Sequence, residues 1–189
     1  MSLVSVVLKE NHITIMSDGR VTDDQMKSVD ENYQKFKIIS PKQFIGFAGN
    51  KEYCELIVSQ IKYSEVMYNL SVISEEILEF SIENAGEAKW NFVLGGIDID
   101  GMISAYYLNR ASSKVNLFKP QGEDINYLYL HNTKEVSDKK VEEVFRKSLN
   151  KRKNNSVFEF YNAQKEFNDF IASYDPSVNK IKFKHRIRK

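Results

Sequence analysis

Cysteine is almost missing from this chain. The single one, Cys54, excludes an intrachain disulfide. It stands in Tyr53-Cys54-Glu55-Leu56-Ile57, a stretch with helical spacing and no His directly beside it, so it reads as a buried, inert thiol. Long apolar runs are missing too: none approaches the roughly 18 residues that a bilayer helix needs. The apolar start, Leu3 to Leu8, ends at Lys9-Glu10 and lacks the basic flank and small-residue cleavage site of a signal peptide. The expected compartment is the cytoplasm. A surplus of one charge is also absent. Lys and Arg number 27 against 26 Asp and Glu, a net charge of +1, which argues against wholesale electrostatic binding to nucleic acid or to a membrane. His12, His131 and His185 share no metal-ligand spacing with one another or with Cys54, so neither a metal site nor a cofactor is expected. Asp98-Ile99-Asp100-Gly101 lacks the remaining positions of a calcium loop and reads as a hairpin turn. No repeat, linker or low-complexity segment divides the 189 residues, which predicts one domain over 1–189.

What is present is a regular alternation of patterns. Leu3–Leu8 is apolar and β-branched, a strand buried on both faces, and His12–Met16 reads as its hairpin partner. Asp18-Gly19 then opens a charged connection. Short strands are predicted at 36–39 and 44–47, followed by helices near 50–68 and 71–86, with Ser71 as the expected N-cap and Gly86 as the stop. Further strands are predicted at 90–97, 102–108, 115–118 and 125–130, and helices at 137–150 and 157–174. The last element, 181–187, alternates apolar residues with Lys and Arg. It reads as an edge strand with one wet face rather than a nucleic-acid contact. Strands buried on both faces need a second sheet on one side and helices on the other. The order therefore predicts an α+β fold, a four-layer αββα sandwich of two antiparallel sheets.

Four landmarks stand in fixed order near the start: Ser2 behind the initiator Met, Asp18-Gly19-Arg20-Val21-Thr22, Lys35, and Gly46-Phe47-Ala48-Gly49. Their order and spacing resemble the proteasome β-type subunits and the bacterial proteasome-like peptidases, a family of N-terminal nucleophile hydrolases. Phe92-Val93-Leu94-Gly95-Gly96-Ile97-Asp98 is similar to the family's central Gly-Gly hairpin, and the likeness runs over residues 2–107. The chemistry is coherent by itself. A serine hydroxyl needs a base, and the α-amine freed on removal of Met1 has an ordinary pKa of roughly 7.7–8.0, close to neutral pH.

The resemblance implies an N-terminal nucleophile hydrolase fold and a peptidase or amidase. Because a small residue, Ser2, follows Met1, aminopeptidase removal of Met1 is expected to free the site without a propeptide. Ser2 would be both nucleophile and base. Lys35 would be the ammonium that holds the amine neutral, Asp18 the carboxylate that fixes Lys35, and Gly46 the backbone N–H for the oxyanion. Thr22 and Ala48 would bind a peptide substrate as an added strand. A homo-oligomeric ring acting on peptides or unfolded protein is implied, with any ATPase partner unspecified. The chain departs from the family pattern in the second half. Tyr129-Leu130-His131-Asn132-Thr133 stands where a Gly-Ser-Gly is expected, and Asp175-Pro176-Ser177 only partly matches a late Asp-x-x-Ser. These departures keep a second reading open: a catalytically inactive structural or binding homologue, in which Asp18 and Lys35 form an ion pair of little consequence.

Overall fold

A computed structural model describes residues 3–23, 25–112, 114–131, 135–152 and 156–189. Ser2 and Thr133 lie outside the described residues. Leu3–Lys9 (β1) and His12–Asp18 (β2) form the expected hairpin, and almost every side chain in both is buried. Val21–Thr22 (β3) and Ser28–Asp30 (β4) make a short ribbon that the charged sequence did not announce. Phe36–Ser40 (β5) and Gln43–Gly49 (β6) follow.

Gly49 ends β6 at a φ of +136°, and a Cβ there would sit 2.2 Å from the Lys89 carbonyl oxygen. Only glycine fits that close approach. The chain then enters Lys51–Gln60 (α1), whose N-cap Asn50 accepts the Tyr53 N–H at 2.9 Å. This helix is shorter than its sequence pattern. The Lys37 ammonium donates to the Val58 carbonyl at 3.1 Å and satisfies the helix end from across the packing. Leu70–Asn84 (α2) is capped by Asn69, not Ser71: Asn69 Oδ1 accepts the Val72 N–H at 3.3 Å. Gly86 follows the end of α2 in the left-handed region, as expected.

Trp90–Ile97 (β7), Ile103–Asn109 (β8), Asn116–Phe118 (β9) and Asn126–His131 (β10) lead to Asp138–Asn150 (α3), Val157–Tyr174 (α4) and Lys182–Arg188 (β11). One sheet has the order β10-β1-β2-β11 and the other β5-β6-β7-β8-β9, with antiparallel neighbours throughout. The sheets face each other across a core that includes Val4, Val6, Ile15, Phe44, Val93 and Leu130. Helices α1 and α2 cover the second sheet around Trp90 and Phe92. Helices α3 and α4 cover the first around Phe145 and Phe167, whose rings stack with centroids 4.3 Å apart. The architecture is the four-layer sandwich that the element order required. No helix among the described residues is long and apolar enough to cross a membrane.

Candidate active site

The end of β2 meets the start of β5 where β1 begins, and polar side chains collect there in an otherwise apolar interior. Asp18 closes β2 with its carboxylate wholly buried, and Lys35, directly before β5, is 1% exposed. The Lys35 ammonium donates to Asp18 Oδ1. The same oxygen accepts the Leu3 backbone N–H at 2.8 Å, and Asp18 Oδ2 accepts the Arg20 N–H at 2.8 Å. One carboxylate thus holds the lysine and the first described residue of β1 together. Two hydrogen bonds to one oxygen keep Lys35 Nζ within about 5 Å of the Leu3 nitrogen. Leu3 follows Ser2 directly in the chain.

The backbone of Lys35 is fixed as firmly. Its N–H donates to Ser17 Oγ at 3.3 Å, and its carbonyl accepts the Phe47 N–H at 3.0 Å, which ties the lysine to β6. Burial pulls the Lys35 ammonium below its ordinary pKa. Asp18 opposes this through its charge and its hydrogen bond, Arg20 adds to the lowering, and Asp175 opposes it weakly. The pair is no surface bridge of little consequence, because neither partner reaches water.

The loops around Gly19, Glu31 and Asp175 are tied together beside the pair. Asp175 caps the end of α4 and is 1% exposed. Its Oδ1 accepts the Ser177 N–H at 2.8 Å and the Ser177 hydroxyl at 2.6 Å, so the late Asp and Ser do act together despite their altered spacing. Asn179 Oδ1 accepts the Gly19 N–H at 2.9 Å, and its Nδ2 donates to the Glu31 carbonyl at 2.9 Å and to Glu31 Oε2 at 2.8 Å. Arg20 Nε donates to Glu31 at 2.9 Å, and its Nη1 donates to the Pro176 carbonyl. Hydrogen bonds from Ser28, Asn179 and Arg20 hold the Glu31 carboxyl down to about 2. Ser17, Glu31 and Asn179 escaped the sequence reading. Their only sequence signal is proximity to Asp18 or to the Asp175 segment, and the contacts span up to 160 residues.

The other expected residues fall on neighbouring elements. Gly46 lies in β6 opposite Phe36 and Val93. A Cβ there would meet Ile15 Cδ1 at 2.8 Å, Val93 Cγ1 at 3.0 Å and Val4 Cγ1 at 3.3 Å. The glycine is therefore required by the close packing of the two sheets, a reason the sequence did not give. Ala48 is buried in β6 opposite Asn91, and Thr22 is half-buried in the β3–β4 ribbon. His131, where the Gly-Ser-Gly is missing, closes β10 opposite Leu3. Its Nε2 lies 3.3 Å from Asp138 Oδ1, and its ring packs on Tyr129. Burial lowers its pKa against the opposing charges of Asp138 and Asp175. Among the described residues, no group of three or more His, Cys, Asp or Glu is placed to hold a metal ion.

The sequence matches no protein-family model and no curated protein. Among solved structures, the fold is similar to that of eukaryotic HslV from Trypanosoma brucei, with a TM-score of 0.69, 12% identity and 99% of each chain covered. The likeness shows the fold, a proteasome-like N-terminal nucleophile hydrolase fold.

Proposed function

We propose that this chain is a proteasome-like peptidase or amidase in which Ser2, freed of Met1, is both nucleophile and base. The observation that carries the reading is the shared Asp18 oxygen, which holds a buried lysine beside the residue that follows Ser2. In the proposed reaction the Ser2 hydroxyl attacks a substrate carbonyl and its proton passes to the α-amine. The Lys35 ammonium balances the charge on the oxygen, while Gly46, paired with Phe36 and Val93 and packed between the sheets, stays outside this step. The C–N bond breaks, the amine returns the proton to the leaving nitrogen, and water hydrolyses the resulting ester. Asp18 positions Lys35, while Thr22 and Ala48 hold the substrate backbone. The resemblance to ring-forming peptidases extends the proposal to a homo-oligomer that encloses the sites.

One observation favours the alternative of an inactive homologue. Tyr129 and His131, in place of the Gly-Ser-Gly, pack toward the α3 layer as part of a regular strand. Intact mass, followed by peptide turnover and labelling with an N-terminal-nucleophile inhibitor, separates the two readings. Loss of Met1, label on the first residue and no turnover in Ser2→Ala are expected. A retained Met1, or turnover unchanged in Ser2→Ala, would refute the peptidase mechanism.

A further inference from the structure

The four-stranded sheet ends on two unlike edges, β10 and β11. Along β10 runs an open groove of about 440 Å3, lined by Tyr107, Phe118, Tyr127, Leu128, Tyr129 and Glu142. The groove wraps the strand. Leu128 turns into the core between the sheets, where Tyr107 and Phe118 pack. Tyr127 and Tyr129 turn outward to α3, each edge-on to Phe145. Glu142, exposed on α3, stands at the rim. Burial and then its charge raise the pKa of both phenols, and the exposed Arg146, one turn further along α3, opposes this at Tyr127.

The opposite edge is its chemical counterpart. Lys184, Arg186 and Arg188 are exposed on one face of β11, and Phe183 and His185 are half-buried on the other. An edge strand presents a row of unpaired N–H and C=O groups that invites another strand. Two β11 edges would oppose each other by like charge. A β11 edge laid along the β10 groove meets aromatic faces and a carboxylate instead.

We infer that β10 of one copy takes β11 of a second copy as an added antiparallel strand, joining copies head to tail. The directions agree. β1 is antiparallel to β10 and to β2, and β2 is antiparallel to β11, so β10 and β11 run in opposite senses when two copies face the same way. The faces agree as well. Lys184 and Arg186 come over Tyr127, Tyr129 and Glu142 on the helical side, a cation–π arrangement that Lys184 already makes with Tyr161 of its own chain at 4.9 Å. Phe183 and His185 come against Leu128, Tyr107 and Phe118 on the inner side. A contact between two different patches propagates into a ring or a filament. The inference deepens the homo-oligomer proposed above and can fail separately from it.

Sedimentation velocity of the full chain over a concentration series tests it. Wild type is expected to self-associate. Lys184→Glu combined with Arg186→Glu should weaken association at least about tenfold, and Glu142→Lys should act in the same direction. Mixing the two variants should restore assembly, because each then offers the other a complementary edge. Circular dichroism checks that the variants are folded. If the double variant does not fold, Glu142→Lys and hydrogen exchange of the β10 amides decide the matter, with protection expected only in the assembled state. A wild type monomeric at every concentration overturns the inference. An oligomer indifferent to the charge reversals also overturns this surface while leaving the ring itself standing, and peptide turnover reports on the catalytic reading independently.

Discussion

Replacing Lys35 with methionine keeps the length of the side chain and removes its charge. The Asp18 carboxylate is then left wholly buried with two donors, the Leu3 and Arg20 N–H groups, each at 2.8 Å. Breaking a buried ion pair on one side costs roughly 3–5 kcal/mol. Domains of this kind have only about 5–15 kcal/mol in total. With a urea slope near 2 kcal/mol/M, the unfolding midpoint should fall by about 1.5–2.5 M. The double change Lys35→Met with Asp18→Asn removes both charges while keeping an acceptor for Leu3, and should cost less than Lys35→Met alone.

Asp18→Asn by itself should behave differently with pH. Burial already lowers the Lys35 pKa from 10.5, and without Asp18 nothing as strong opposes it. The unfolded chain then binds the proton more tightly than the folded one, so stability should rise with pH up to about 10.5. Urea titrations of the three variants between pH 6 and 10 provide the assay. A loss under about 1 kcal/mol in Lys35→Met, the value of an exposed pair, would refute the reasoning, as would a double variant weaker than the single one.

Gly46→Ala should destabilise by about 1–3 kcal/mol, because its Cβ falls 2.8 Å from Ile15 Cδ1. Ile15→Val in the same chain should recover part of the loss, and a neutral Gly46→Ala in denaturant titration would show that the sheets yield freely. Acid should weaken the fold through His12. Its Nδ1 faces the Asn11 carboxamide oxygen at 2.6 Å, its Nε2 is buried without a partner, and burial, then Arg188 and Lys9, lower its pKa. That contribution is complete above the ordinary value of 6.5 and is lost as pH falls toward the lowered folded value, so melts should drop from pH 7.5 to 5.5 and His12→Phe should flatten the drop. Cys54 should resist iodoacetamide at pH 8 in the native state and react on unfolding, since burial, with Glu55, pushes its thiol up to about 12. Rapid native labelling would contradict that burial.

The layers were legible because hydrophobic period is a local signal. Leu3–Leu8 is apolar on successive residues, which only a strand covered on both faces can use. Boundaries set by distant groups were not legible. α1 ends at Gln60 where Lys37, arriving from β5, takes the Val58 carbonyl, and no residue within the helix announces that stop. Ser71 looked like a cap by type, yet Asn69 is positioned first because the Leu70 N–H is held by Asp98 Oδ1 at 3.1 Å, across from the β7–β8 hairpin. The β3–β4 ribbon, with strands of two and three residues, is too short to carry a period at all.

The site divides along the same line. Asp18 and Lys35 could be matched by order and spacing, but their depth of burial could not be read, and burial decides their chemistry. An exposed pair would leave Lys35 an ordinary ammonium, fixed in charge near neutral pH. Here desolvation outweighs the attraction of Asp18 and draws the Lys35 pKa down, while the hydrogen bond to Asp18 fixes where the ammonium stands. That depth is built largely by residues outside the motifs, Ser17 under the Lys35 amide and Asn179 at Glu31, joined by Arg20 of the Asp18-Gly19-Arg20 turn, which reaches Glu31 and Pro176. The late Asp175-Pro176-Ser177 segment belongs to this cover, and its charge still reaches Lys35. Asp175 stands far after Lys35 in the sequence and still opposes the lowering of its pKa, because the field depends on where the carboxylate stands in the fold and not on its distance along the chain.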